Sequence, residues 1–275
     1  MDKDDLSKIE IDLVKKRRRY SLNKRKLGRA LALFCGFAAV VIISCYLLFA
    51  NDQVRLAFFA ASQPLQVSHQ VSPEGFDGNA AALDGKVVVI DAGHGGFDSG
   101  AISVSGVHEA ELNLNVAEYL QETLSLGGAN VIMTRIDVNA LGDTKKEDMA
   151  ERRRIILQSG ADIVVSIHMN AHIDPEISGP VVIFMESSVQ GEILAKAIQE
   201  SLNAGLDTAH PGSIRSDNLY VLRSGPQPSV LIECGYLTNP AEEARLTNKD
   251  YQRKVAKAVC DGIDGYFAAI NAGEA

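Results

Sequence analysis

The sequence of 275 residues predicts a layered α/β domain preceded by one transmembrane helix. Three observations lead to this fold class. Short apolar strands alternate with helical segments over the greater, C-terminal part of the chain. An uncharged apolar segment lies near the N-terminus, directly after a run of basic residues. Four cysteines, two of them inside that segment, are too few for a disulfide framework, so an apolar core must hold the domain together.

Residues 1–29 form a basic tail with eleven Lys or Arg and five Asp or Glu, whereas the whole chain has a net charge of -8. The remainder of the chain is therefore strongly acidic. An acidic body argues against nucleic acid as a partner. The basic block alone would be compatible with nucleic-acid binding, but the segment that follows it favours a membrane.

That segment, "ALALFCGFAAVVIISCYLLFAN" at 30–51, contains no charged residue. About 20 apolar residues span the hydrocarbon core of a bilayer. A soluble core helix would show a polar face, and a cleaved signal would have a shorter basic region and a small-residue cleavage site. We therefore predict a single-pass signal-anchor helix, with the N-terminus in the cytoplasm and the C-terminal body outside.

Residues 52–85 lack sustained periodicity and are predicted to be a stalk, and His69 within them is expected to be solvated. The domain is predicted at 86–270, with a short tail at 271–275. The expected strands are, in order, "KVVVID", "NVIMTR", "ADIVVSIH", "GPVVIFM", "NLYVL" and "SVLIEC". The expected helices are "AELNLNVAEYLQETLSLGG", "KKEDMAERRRIILQSG", about 189–204, and 251–270. Cys234 and Cys260 are expected to be buried free thiols, although a bridge between them is not excluded by the sequence.

Polar residues stand where the predicted strands end, which is where parallel strands open to ligands. The first strand leads into "IDAGHGG", the third into "SIHMNAH", and the last into "LIECGYLTN", while "GVHEAELNL" comes just before a helix. These segments contribute the candidate residues Asp91, His94, His108, Glu109, His168, Asn170, His172 and Glu233.

Two histidines and a carboxylate from separate elements are the usual protein ligands of catalytic zinc. A further carboxylate is then needed to move protons, and Glu233 suits that role because it ends a strongly apolar strand. Each residue also has a structural interpretation: a strand-end histidine can be a hydrogen-bonded core residue, and Glu233 can cap a helix or pair with arginine. His168 and His172 have the spacing of a zincin helix, but they follow a strand and lack the intervening glutamate.

The motifs "VVVIDAGHGGFDSGA", "GVHEAELNL", "VIMTR", "ADIVVSIHMNAH" and "YVLRSGPQPSVLIECGYLTNPAEEARL" together resemble the zinc-dependent N-acetylmuramoyl-L-alanine amidases, the type-3 amidase family of cell-wall hydrolases. The resemblance covers 86–268. It implies a twisted mixed β-sheet flanked by helices. It also implies zinc (Zn2+) bound by His94, Glu109 and His168, and Glu233 as the catalytic acid and base. The implied substrate is peptidoglycan, cut between the lactyl group of N-acetylmuramic acid and L-alanine.

The sequence departs from the family pattern at Ala92, Ala110, Cys234 and Tyr236, where Pro, Lys, Val and Phe are frequent. None of these is an implied ligand. Cys234 places a thiol next to Glu233, but strand alternation turns the two side chains to opposite faces. Asn170 and Arg223 are expected either to contact the substrate or to be structural.

The single-helix anchor resembles the amidases that act on spore cortex, which implies a role in sporulation and germination on the outer side of the membrane. A vegetative amidase for cell separation or wall turnover is the alternative. Two further hypotheses are a wall-binding protein without catalysis and a zinc peptidase that cuts within stem peptides. The sequence identifies no activator protein, and histidine and carboxylate ligands also suit other divalent ions.

Overall fold

The computed structural model describes residues 80–206, 208 and 210–274. This part of the chain is one α/β domain. Its strands are β1 Val87–Ala92, β2 Asn130–Met133, β3 Ile163–Asn170, β4 Val181–Met185, β5 Ser213–Asp217 and β6 Ser229–Tyr236. Its helices are α1 Ala80–Leu83, α2 Glu109–Leu126, α3 Lys145–Gln158, α4 Val189–Gly205, α5 Pro240–Leu246 and α6 Lys249–Ala272, with a 3-10 helix at Val221–Arg223.

The six strands form one sheet in the order β2-β1-β3-β6-β4-β5. Strands β2, β1, β3 and β6 run parallel, whereas β4 is antiparallel to β6 and parallel to β5. The predicted mixed sheet flanked by helices is therefore confirmed. Because β1, β3 and β6 point the same way, their C-terminal ends lie at one edge of the sheet.

The two faces of the sheet are covered differently. One face packs against α2, α4 and α6 and contains the larger apolar cluster, with Val88, Leu120 and Leu202 among its fully buried members. The other face is covered by α3 and the 3-10 helix, and its apolar cluster is small, including Val89 and Ile156. We call these the large-core face and the small-core face.

The helix signals in the sequence correspond to observed contacts. The predicted apolar stripe of α2 is buried, and the helix ends at Leu126 with Gly127 as its C-cap, followed by Gly128, whose φ is +93°. Helix α3 is capped by Thr144, whose hydroxyl accepts from the Glu147 amide and donates to the Glu147 carboxylate.

The predicted strand at "NLYVL" is wrong. The strand in that part of the chain is β5 at Ser213–Asp217, and the apolar residues Val221 and Leu222 belong to the 3-10 helix, where they are buried in the small core. Strand β5 carries polar, largely exposed side chains, so it has no apolar periodicity to reveal it. Helix α5 was not predicted either, although Asn239 caps it and Pro240 occupies its first turn.

Packing extends slightly beyond the predicted start of the domain at Lys86. Leu83 at the end of α1 is fully buried in the large core, within the segment predicted as a stalk. The predicted tail 1–29, the predicted membrane helix 30–51 and most of 52–85 lie outside the described residues. No helix among the residues that the structure describes has the length and apolar character to cross a bilayer.

Both cysteines of the described domain are free and buried, as predicted. Cys234 and Cys260 belong to the large-core face, and burial raises the pKa of both thiols, that of Cys260 to about 12. Leu231, two positions before Glu233 on β6, belongs to the small core, so Glu233 points to the small-core face. Cys234 points to the opposite, large-core face. This position agrees with the expectation that the thiol faces away from the candidate ligands.

Candidate metal centre

Three strands end in polar residues on the small-core side at one edge of the sheet. Asp91 in β1 is in register with Ser166 in β3, and His168 in β3 is in register with Glu233 in β6. Alternation along each strand places these side chains on the face opposite the large core. The polar residues that follow these strands in the sequence therefore lie at one edge of the sheet.

His94 lies in the turn that follows β1, and its backbone is strained. Its φ is +61°, a region that residues other than glycine rarely adopt. The turn is closed by paired hydrogen bonds between Gly95 and Asp98, at 2.8 and 3.0 Å. Gly93 is required for close approach, because a Cβ atom there would lie 2.2 Å from the His168 ring.

Glu109 is the first residue of α2, and its carboxylate points inward with 4% of the residue exposed. Its Oε2 accepts a hydrogen bond from the Ala101 amide at 2.7 Å. Its Oε1 accepts from the Asn113 side-chain amide and from the Met169 amide, each at 3.2 Å. These donors fix the orientation of the carboxylate.

The side chains of His94, Glu109 and His168 converge. Glu109 Oε1 lies 3.2 Å from His94 Nε2 and 2.9 Å from His168 Nδ1, and one ligand atom from each residue lies within 4.8 Å of the others. The two imidazole rings are 4.9 Å apart between centroids, at 76° to each other. Two imidazoles and one carboxylate at this spacing fit a tetrahedral metal site with one position left for water.

The charges within this cluster reinforce one another. Burial by itself lowers the pKa of His94 and raises that of Glu109, but hydrogen bonds and charge attraction between the two outweigh burial. The pKa of His94 is consequently raised, with a contribution from Asp98, and the pKa of Glu109 is held well below its usual range by His168 first and then by His94. An ionised carboxylate is ready to bind a cation, and protonation of His94 competes with metal binding as the pH falls.

Asp98 supports His94 from the far side of the ring. Its Oδ2 lies 2.9 Å from His94 Nδ1, an ion-pair distance, and it also pairs with Lys145. Burial raises the pKa of Asp98, but the hydrogen bond from Lys145 and the attraction of His94 outweigh it and lower the pKa to about 2. Carboxylates in this position orient metal-binding imidazoles.

Glu233 differs from Glu109 in its environment. Burial is the largest influence on its pKa and raises it, and the repulsion from Glu109 adds to this, while attraction to His168, Arg215 and His94 opposes it. Its Oε2 atom is buried without a hydrogen-bond partner among the described residues. A carboxyl with a raised pKa and a free oxygen beside the cluster is equipped to exchange protons.

A cavity of about 180 Å³ adjoins the cluster. Its lining includes His94, His168, Tyr220 and Leu231. A single water molecule requires a cavity volume of about 10–15 Å³, so this cavity has room for water and for part of a substrate beside the imidazoles.

Four other residues singled out in the sequence stay outside the cluster. His108 is exposed just before α2, and His172 is exposed in a loop, where its Nδ1 accepts from the Asp174 amide. His168 belongs to a strand and not to a helix, which agrees with the sequence argument against a zincin-like pairing of His168 with His172. The Asn170 side chain accepts from the Ala171 amide, and Arg223 lies over the Tyr220 ring at 5.5 Å.

Sequence reasoning missed the residues that support the ligands. Asn113, Arg135 and Arg152 are buried beside the cluster, and Asp98 contacts His94. Asn113 had a usable signal, because it stands four residues after Glu109 on the same face of α2. No signal in the sequence indicated Arg152, since a charged residue in a highly charged helix is usually solvated.

A comparison with protein families matches residues 88–265 to the N-acetylmuramoyl-L-alanine amidase family. Among curated proteins, the uncharacterized protein YqiI of Bacillus subtilis is 38% identical over 191 residues, which cover 68% of this chain and 88% of that protein. The germination-specific N-acetylmuramoyl-L-alanine amidase of Bacillus subtilis is 34% identical over 193 residues, which cover 67% of this chain and 81% of that protein.

Two solved structures from Clostridioides difficile are also similar. The CwlD amidase, solved in complex with the GerS lipoprotein, is 34% identical with a TM-score of 0.63, and the match covers 67% of this chain and 99% of that chain. An N-acetylmuramoyl-L-alanine amidase from strain 630 is 30% identical with a TM-score of 0.62, and the match covers 68% of this chain and 98% of that chain. The resemblance seen in the motifs is confirmed: this chain belongs to the type-3 N-acetylmuramoyl-L-alanine amidase family.

Proposed function

We propose that this protein is a zinc-dependent amidase that cleaves peptidoglycan between the lactyl group of N-acetylmuramic acid and L-alanine. The observation that carries the proposal is the convergence of His94, Glu109 and His168, with Glu233 in register beside His168. Family membership supports the bond that is cut, and the cluster supports the way in which it is cut.

The residues present fit a zinc ion. The ligand atoms would be one imidazole nitrogen each from His94 and His168 and one carboxylate oxygen from Glu109, and Glu109 is already held in place by its hydrogen-bond donors. When bound, zinc would polarise the scissile carbonyl and lower the pKa of water toward neutrality. The side chains of Asp98 and Asn113 orient the ligands.

Glu233 is proposed to act on the protons of the reaction. As a carboxylate it accepts a proton from the attacking water, and as a carboxylic acid it donates that proton to the departing amine of L-alanine. Its raised pKa suits both steps, because the acid is strong enough to give up the proton and the base is strong enough to take it.

We further propose that residues 30–51 anchor the protein in the membrane as a single-pass helix, with the N-terminus in the cytoplasm and the domain on the outer side. The uncharged apolar sequence and the basic tail before it support this topology. A peptidoglycan substrate lies outside the membrane, so this topology and the proposed chemistry agree.

A role in maturation of spore cortex is the biological setting we propose. Support comes from the germination-specific relative and from the CwlD amidase, whose complex with a lipoprotein makes a lipoprotein the first class of partner to test. Expression confined to sporulation would support this setting, and expression throughout growth would favour vegetative wall turnover.

The experiment that tests the activity is digestion of purified peptidoglycan by the full-length protein with zinc, followed by mass spectrometry of the products. The proposal predicts peptides with a free N-terminal L-alanine and glycan strands with intact lactyl groups. Cleavage within the stem peptide would make the protein a peptidase. Wall binding without any product would make it a binding protein, and either result would contradict the proposal.

A further inference from the structure

Helix α3 buries charged residues against the small-core face. Asp148 is 4% exposed and Arg152 is 2% exposed, and Ile156 one turn further on is the buried apolar member of the same helix face. Buried ion pairs are costly to desolvate, and apolar residues of similar volume often stabilise a protein as well or better. We therefore look for a role of these buried charges other than a contribution to stability.

Arg152 binds the segment that carries the first candidate ligand. Its guanidinium donates to the carbonyl oxygens of Ala92 at 2.7 Å and His94 at 2.6 Å. It also donates to the carboxylates of Asp91 at 2.7 Å and Asp148 at 2.8 Å. The planar fork of arginine makes these bonds in several directions at once, which a lysine ammonium cannot reproduce.

The bond from Arg152 falls where the backbone needs support. The left-handed φ of His94 is costly for a residue with a side chain, so surrounding contacts must hold it. Arg135 assists from the neighbouring strand end, with bonds to the carbonyls of Gly93 at 2.9 Å and Ala110 at 2.7 Å. Ala110 follows the ligand Glu109, so Arg135 ties the two ligand segments together.

The same helix also reaches the imidazole of His94. Lys145, the first residue of α3, pairs with Asp98, and Asp98 lies 2.9 Å from His94 Nδ1. Asp98 is held further by the Gly100 amide at 3.2 Å. Helix α3 thus contacts His94 twice, at its main chain through Arg152 and at its side chain through Asp98.

We propose that α3 is the positioning element of the metal centre, with Arg152 fixing the main chain of His94 and Lys145 fixing its imidazole through Asp98. This inference rests on the proposed metal site. It assigns to α3 the task of holding the first ligand in its binding conformation before the metal arrives. Pre-organisation of this kind raises metal affinity because the ordering has already taken place.

The test compares zinc affinity and thermal unfolding of the full-length protein for wild type, R152K and R154K. Arg154 is the matched control, because it is exposed on the same helix and pairs with Glu151. We expect R152K to weaken zinc binding by about ten-fold or more, measured by competition with a chelator, and R154K to bind zinc as wild type does. The rise in unfolding temperature on adding zinc should shrink in R152K accordingly.

A merely structural role for Arg152 gives a different result. In that case R152K lowers the unfolding temperature of the metal-free protein, but its zinc affinity and its zinc-induced rise in unfolding temperature match wild type, and the proposal is overturned. Failure of wild type itself to bind zinc would overturn the proposed function as well, so the two failures are distinguishable.

A milder pair of variants keeps the test open if R152K does not fold. Lys145 and Lys146 are adjacent and exposed, and K146A serves as the control for K145A. We expect K145A to weaken zinc binding by a few fold, because Asp98 loses a partner, and to leave the metal-free unfolding temperature unchanged. Equal zinc affinity in K145A and K146A would contradict the part assigned to Lys145, and equal affinity in all variants that fold would overturn the proposal.

Discussion

The large-core and small-core faces of the sheet contain alternate residues of the same strands, yet they differ in chemistry. In β3, Val165 and Ile167 belong to the large core, whereas Val164 and then Ser166 and His168 face the small core. The large-core face is apolar up to the sheet edge. The small-core face turns polar toward the C-terminal edge, where the candidate metal ligands lie.

This difference indicates that one face of the sheet stabilises the fold and the other face positions the candidate site. Burial of apolar surface against α2, α4 and α6 supplies the stability that permits the other face to hold buried charges. On the small-core face, Asp91 and Arg152 are buried and serve the conformation of the His94 turn. Changes on the first face should therefore alter stability and leave zinc affinity unchanged, whereas changes on the second should also alter metal binding and catalysis.

The largest expected effect on the small-core face comes from removing a ligand. The H168A variant is expected to lose stoichiometric zinc binding and all amidase activity, because two remaining ligands do not complete the site. H172A is the control, since that histidine is exposed in a nearby loop, and it should bind zinc and turn over normally. Metal analysis after dialysis measures the effect, and full zinc content in H168A would break the assignment.

The next effect separates catalysis from binding on the same face. E233Q should lower kcat by about 10²- to 10⁴-fold, because the amide can neither take nor give the proton. Zinc affinity should stay within a few fold of wild type, since Glu233 is not a ligand. Glu186 is exposed, and E186Q is the matched control. Full turnover by zinc-loaded E233Q would remove Glu233 from the mechanism.

A change on the large-core face should do the opposite. Leu202 in α4 is fully buried, and L202A should lower the free energy of unfolding by about 2–5 kcal/mol through the cavity it leaves. Zinc affinity should be unchanged while the protein is folded. Leu157 is half exposed on α3, and L157A should cost far less in chemical denaturation. A large loss of zinc affinity in L202A would show that the two faces are not separable.

The smallest effect is a dependence of stability on pH. Burial raises the pKa of Asp91, but Arg152, Ser166 and Thr134 outweigh it and lower the pKa to about 2 from 3.8. The ionised group therefore stabilises the fold above about pH 4, and this contribution is lost as the pH falls toward 2. The gap in unfolding free energy between wild type and D91N should narrow over that range. A gap that is constant with pH would contradict the shift.

Much of this arrangement could be predicted from the sequence because its signals are local. The apolar strands, the stripe of α2 and the polar strand ends are patterns within a few residues, and they led to eight candidate residues. The choice of His94, Glu109 and His168 as ligands, and of Glu233 as acid and base, was implied by the family resemblance. The order of the strands and the antiparallel β4 are set by pairing between distant segments, which periodicity does not encode. The mixed character of the sheet was expected from the family resemblance alone.

The support around the ligands was not predictable, for a physical reason. Arg152 acts by bonds to main-chain carbonyls sixty and fifty-eight positions away in sequence, and no side-chain pattern records such partners. Strand β5 was missed because four of its five side chains are polar and its one apolar residue, Ile214, is only partly buried, so it shows no apolar alternation. The predicted strand "NLYVL" was wrong because its apolar residues Val221 and Leu222 are buried in the small core from a 3-10 helix and not from a strand.

The most direct test of the central claim is anomalous X-ray diffraction at the zinc edge from crystals of the zinc-loaded full-length protein. The account predicts one strong peak within bonding distance of His94, Glu109 and His168, with water in the remaining position and Glu233 next to that water. A peak bound by other side chains, or zinc-loaded crystals without a peak at these three residues, would contradict it.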